Sequence, residues 1–246
     1  MARRFNNDDT RYLNLGSAIV NPNSGGYPFS MACWFVSEAG QSGQDTLISL
    51  GDSAATAHIW ALAVNTVGGD YIRANQKGSA NSSAQSTTTF TDDTWHHAAC
   101  AFVGNTERHV WLDGGGHHES VLSCSTNTPD ETYIAKQVGL AANNPMDGNI
   151  AEVAIWAGYE LTTADTLVLA AGYSPLFVKP ENLVSCVRIF GNIVNEPDYL
   201  GSAWTGNGAS VKVPHPPRII YPAPPFIPSI EGALLAVGPF PTHFRL

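Results

Sequence analysis

The chain has 246 residues and a mass of 26.2 kDa, the size of one large all-β domain. Charged residues are only 13% of it against a usual share of about 25%, which argues against a helical bundle rich in Glu, Lys and Arg. The net charge of −9 argues against a binder of nucleic-acid phosphates, and no apolar run approaches the ~20 residues that cross a bilayer.

The opening MARRFNNDDT has no apolar stretch of the kind a secretory signal carries. The chain is therefore expected to stay in the compartment where it is made, with reduced thiols. Ala2-Arg3-Arg4 reads as a short basic patch. Short β-prone runs follow at 11–15, 28–36, 46–50, 58–64, 70–75, 85–90, 94–103, 107–112, 119–123, 132–136, 150–156, 182–190 and 209–213. Turn chemistry separates them, with Asp113-Gly114 the strongest hairpin signal. Such spacing predicts an antiparallel sandwich, not βαβ units. One helix is predicted at about 162–171, with a Thr near its start as N-cap and Gly172 as its stop. Cys33, Cys100, Cys124 and Cys186 have no C-x-x-C spacing and read as small core residues, with neither disulfide nor zinc.

Composition changes at Pro214. Residues 214–246 hold more than half of the 16 prolines. Prolines at this density favour extended backbone over sheet or helix. The segment also carries Ile219, Ile220, Tyr221, Phe226, Ile227, Ile230, Leu234, Leu235, Val237, Phe240 and Phe244, with few charges. Left bare, it would be a large apolar liability. We read it as an arm that binds other protein chains through those side chains; the alternative is an arm folded back on its own domain. The division is a sandwich over 1–213 and an arm over 214–246.

Residues 92–114, DDTWHHAACAFVGNTERHVWLDG, resemble the central signature of laminin G-like, concanavalin A-like jelly rolls at Trp95, His96, His97, Trp111, Leu112, Asp113 and Gly114. Residues 12–15 and 28–36 resemble the opening strands of that family, and GNIAEVAIWAGYEL at 148–161 its closing segment. Ala151 stands where the family usually has an Asp. The resemblance covers about residues 4–213 and implies a two-sheet antiparallel jelly roll. It leaves function open, because one sandwich hosts lectins, adhesion modules, hydrolases and virion proteins.

In TWHHAACAFV, Trp95, His97, Ala99 and Ala101 share one face, and His96, Ala98, Cys100 and Phe102 the other. Both faces are apolar enough for a buried central strand, with the small alanines making room for the partner sheet. Adjacent His96 and His97 point apart and cannot easily chelate one ion. His117 and His118 are expected to be exposed. Asp52, Asp113 and Asp147 lie at strand ends but form no calcium-loop motif, so no cofactor is expected; calcium is the one cation left open. Glycosidases of this fold class present two carboxylates from one strand. Neither Glu119 nor Glu152 has such a neighbour, and no enzymatic activity is expected. Trp60 and Trp156 read as core. Trp204, in a Gly/Ser/Asn-rich stretch, is the best candidate to stack on a sugar.

Together these features predict a non-enzymatic structural protein of a bacteriophage virion, a capsid decoration or fibre component. It would be made in the host cytoplasm and would assemble through its arm with other virion proteins and copies of itself as a homo-oligomer. A cell-surface glycan is a further expected partner; nucleic acid and membrane are not. The alternative is a bacterial lectin or adhesion module, and a glycan-active enzyme ranks last.

Overall fold

The computed structural model describes residues 2–6, 11–41, 43–56, 58–139, 144–189, 195–209, 211–216 and 219–222. In chain order the strands are β1 (Ala2–Phe5), β2 (Tyr12–Asn14), β3 (Phe29–Ser37), β4 (Gln44–Gly51), β5 (Ile59–Asn65), β6 (Tyr71–Lys77), β7 (Asn81–Gln85) and β8 (His96–Phe102). There follow β9 (Arg108–Leu112), β10 (Gly115–Ser120), β11 (Glu131–Ile134), β12 (Gly148–Ala157), helix α1 (Thr163–Ala170), β13 (Leu183–Val187), β14 (Asn195–Pro197), β15 (Ala203–Asn207) and β16 (Val211–Val213). They form two antiparallel sheets of eight strands. The first runs β10-β9-β8-β3-β12-β1-β16, with β13 also paired to β12. The second runs β14-β15-β2-β11-β4-β5-β6-β7. The two-sheet sandwich with one helix is thus the architecture expected from the sequence. No described helix is long and apolar enough to cross a membrane.

The main core lies between the sheets and takes alternate residues of each strand. From β8 it takes Ala98, Cys100 and Phe102; from β3 it takes Phe29, Met31, Cys33 and Phe35. The opposite face of the first sheet has its own apolar layer of Ala32, Ala99, Ala101, Trp111, Ala154 and Trp156 beneath Leu161 and Leu169. Ala99 and Ala101 therefore leave room for the helix side of the sheet, while Ala98 alone of the three faces the partner sheet. This corrects the expectation that all three accommodate the second sheet. The four cysteines are free and buried.

Helix α1 starts at a reciprocal cap. The Asp165 amide donates to Thr162 Oγ1, and the Thr162 amide donates to Asp165 Oδ2. The Asp113-Gly114 turn has φ of 54° and 74°, the left-handed pair a two-residue hairpin needs. A Cβ on Gly114 would lie 2.8 Å from the Leu167 Cα, so only glycine lets the hairpin tip rest on α1.

Three expectations are revised. Residues 86–90 leave the sheet, because Phe90 turns into the core against Phe35 at 5.4 Å; the strand there is β7, hidden by its polar sequence NSSAQ. Ala2-Arg3-Arg4 is a strand, not an exposed patch. Arg3 is buried with its guanidinium 3.9 Å from the Glu196 carboxylate, while Arg4 pairs with Glu38. The stretch around Trp204 is strand β15, paired on both sides by β14 and β2.

Candidate functional site

Trp204 is fully buried in the main core. Its indole N–H reaches Ser185 Oγ at 3.3 Å and Asp198 Oδ2 at 3.4 Å. It has no face to offer a sugar, which corrects the sequence assignment: pairing β15 on both sides turns the ring inward. Trp60 and Trp156 are buried as expected, donating to Tyr27 Oη and the Val178 carbonyl.

Trp204 instead supports the turn that follows β14. Asp198 accepts from the Cys186 and Leu200 amides through Oδ1, and from Ser185 Oγ at 2.5 Å through Oδ2. This carboxylate is saturated and acts as a brace. The turn it holds presents Tyr199, 64% exposed, in a shallow pocket of about 180 Å³ lined with Arg188, Pro197 and Asp198. An exposed aromatic beside a guanidinium has the elements of a sugar subsite. Sequence reasoning missed Tyr199 because the larger Trp204 dominated the same stretch.

A second cluster lies next to it. Strand β12 pairs with β1 through Gly148–Ile150 and with β13 through Val153–Trp156, on the same side. Glu152 sits in the gap between those partners, at a register shift, with φ 51°. Glu152 is 3% exposed. Oε1 accepts from His215 Nε2 at 3.1 Å and from Tyr221 Oη at 2.5 Å. Arg188 stacks on the Tyr221 ring at 3.8 Å. Oε2 and His97 Nδ1 are buried without hydrogen bonds, and both line a cleft with Trp34 and Ile219 that is too tight for a water molecule. Desolvation holds the His97 imidazole down at about 4, against a weaker upward pull from Asp113. Burial, with Glu152 beside it, pushes the Tyr221 phenol far up.

Residues 215–216 and 219–221 thus pack on their own domain. Ile219 packs with Trp34, Trp95 and Ala151. Ile220 exchanges backbone hydrogen bonds with Gly172 and Ser174. The gap at Glu152 draws Tyr221 back and the apolar face around Trp34 draws Ile219 back, in place of the extended course expected for them, while the Ile220 side chain stays exposed. Phe226, Ile227, Ile230, Leu234, Leu235, Phe240 and Phe244 lie outside the described residues.

Residues 7–165 match the laminin G-type family model described as the concanavalin A-like lectin/glucanases superfamily. The chain belongs to that superfamily. A comparison of the sequence with curated proteins finds no match. Among solved structures, this concanavalin A-like chain is similar to a candidate carbohydrate-binding protein from Bacteroides ovatus, with TM-score 0.60 and 17% identity over 87% of this chain and 60% of that one. It is also similar to the enzymatically active domain of tailspike protein 2 from bacteriophage CBA120, with TM-score 0.54 and 12% identity over 76% of this chain and 29% of that one. A heptameric SAP-like pentraxin from Limulus polyphemus gives TM-score 0.51 and 13% identity over 69% and 81%. At these identities the likeness is one of fold, and this chain spans well under two thirds of the first two proteins.

Within this lectin-like fold the other sequence candidates are dispersed. His96 Nδ1–H donates to Asp113 Oδ2 at 2.7 Å, and its Nε2 accepts from the Thr91 amide. His97 points to the other face, as expected of neighbours on a strand. Asp52 is engaged by Asn127 and Asp147 by Gln41. Among the described residues, no cluster of three ligating side chains contains Asp52, Asp113 or Asp147.

Proposed function

We propose that this chain is a non-enzymatic structural protein of a bacteriophage virion, a decoration or fibre component. A lectin-like sandwich is displayed, and residues beyond Pro222 form the arm that binds neighbouring copies. The observation that carries this reading is where the chain goes after β16. His215 and Tyr221 seal the gap at Glu152, and Ile220 holds the chain to the sandwich. The sequence then continues with 24 residues carrying nine large apolar side chains and only Glu231 and Arg245 as charges. The sandwich has already closed its own face with His215, Ile219 and Tyr221, so that apolar stretch is matched to a surface of another protein, at about 25 cal/mol per Å² removed from water. On this reading the arm proper begins after residue 222 instead of at residue 214.

A non-catalytic role is supported by the two buried carboxylates near the arm. Asp198 is saturated by four donors. Glu152 lies behind His215 and Tyr221 in a cleft without room for water. Glu152 is closed to a sugar ring, and Asp198 is already engaged by its four donors. The second reading, a bacterial glycan-binding module, is favoured by the exposed Tyr199 beside Arg188.

The test is sedimentation of the full chain against a chain ending at Pro222, each checked by circular dichroism. Multimers of the full chain and a folded monomer of the short one support the arm. A monomeric full chain overturns it. Glycan-array binding lost on Tyr199→Ala, with a monomeric full chain, favours the second reading.

A further inference from the structure

A distinct constellation lies at the opposite margin of the first sheet. Glu107, His109 and Trp111 alternate along β9 and its approach, so they share a face. β10 returns alongside, with Glu119 directly opposite His109 in register. The bulge between Gly115 and His118 brings His117 to the same face. The His117 ring stacks on Trp111 at 4.9 Å and on His109 at 5.3 Å. Glu160 approaches from the segment between β12 and α1.

The imidazole of His109 is 8% exposed and held on both sides. Its Nε2 lies 3.0 Å from Glu107 Oε1 and 3.8 Å from Glu160 Oε1, and its Nδ1 lies 3.0 Å from His117 Nε2. One ligand atom each from Glu107, His109 and Glu119 lies within 4.8 Å of the others. Arg108 is turned to the other face, where it donates to the Asn105 and Leu122 carbonyls, so it does not neutralise the group.

We propose that Glu107, His109 and Glu119 form a Zn²⁺ site with a fourth position left to solvent. A tetrahedral zinc with bonds of about 2.0–2.1 Å needs ligand atoms roughly 3.3 Å apart. The 3.0 Å between His109 Nε2 and Glu107 Oε1 is close to that value, and a Glu119 oxygen comes within 4.8 Å of the other two ligands. One imidazole with carboxylates suits zinc; calcium takes 6–8 oxygens, more than this face supplies. Without metal, His109 Nε2–H donates to Glu107, and Nδ1 accepts from His117. With metal, the His109 proton moves to Nδ1, His117 Nε2 accepts it, and His117 carries its own proton on Nδ1. No net proton is lost, and His117 becomes the outer partner that orients the ligand. The ion would clamp β9 to β10 across their hairpin.

Calorimetric titration of the untagged, chelator-treated full chain with Zn²⁺ tests this. One ion per chain is expected. Glu119→Gln, at an exposed position, and Glu107→Gln, at a half-buried one, should each weaken binding at least about tenfold, since loss of an outer partner alone costs 10–100-fold. His109→Ala should abolish it, and His118→Ala should leave it unchanged. Failure of the wild-type chain to bind Zn²⁺, equal binding by Glu119→Gln and wild type, or displacement of Zn²⁺ by equimolar Ca²⁺ would each overturn the assignment.

Discussion

His97 and Asp45 titrate in one pH window with opposite signs. Burial lowers His97 from 6.5 to about 4, so the unfolded chain binds the extra proton first. Its contribution is fully present above pH 6.5 and is lost as pH falls towards 4. Asp45 is raised from 3.8 to about 6, chiefly by burial and also by the charge of Asp147. Its native form holds the extra proton, so its contribution is present below 3.8 and is lost as pH rises through 6. Between pH 6.5 and 4.5 the first costs about 2 kcal/mol and the second returns about 2 kcal/mol. The two nearly cancel in the wild-type chain. Urea unfolding followed by tryptophan fluorescence at pH 6.5, 5.5 and 4.5 separates them. Asp45→Asn should lose about 2 kcal/mol more than wild type over that interval, and His97→Gln should lose about 2 kcal/mol less. If both variants keep the wild-type pH slope, the buried charges are not the cause and the reasoning fails.

Trp204→Ala should destabilise the fold by about 3–5 kcal/mol, because it empties a core position and leaves Asp198 short of a donor; thermal melting measures it. Thr162→Ala should cost about 1 kcal/mol through loss of the cap on α1, read by urea midpoint. All four thiols should be inert to an aromatic disulfide reagent in the native chain and react after denaturation, since burial raises Cys33, Cys100 and Cys186.

The sandwich was legible because its central strands carry their burial in their composition. PFSMACWFV and HHAACAF are apolar on both faces, and both are buried between two packed layers. The strands that escaped notice, β1, β7, β14 and β15, are short or polar, and pairing with neighbours holds them in place. Arg3 could not be read as buried, because its partner Glu196 lies in a distant strand. Trp204 failed for the same reason, since the pairing of β15 decides which way the ring points. The Glu107–His109 pattern was visible as alternation, but Glu119 joins it only through the register of β10. Glu152 has no local signal at all, since its setting depends on where β1 ends and β13 begins.

Strand β1 has consequences for how the chain reaches this state. Arg3 pairs with Ile150 on one side and Lys212 on the other. About 200 residues separate the last of these from the first, on the order of 10–40 s of synthesis at ~5–20 residues per second. Until residue 150 is made β1 has no partner strand, and until residue 212 is made its outer edge stays open to any other strand. Long-range pairing of this kind is slow to form. The arginines in ARRF keep the waiting segment hydrated, and burying Arg3 beside Glu196 becomes one of the last commitments the nascent chain makes.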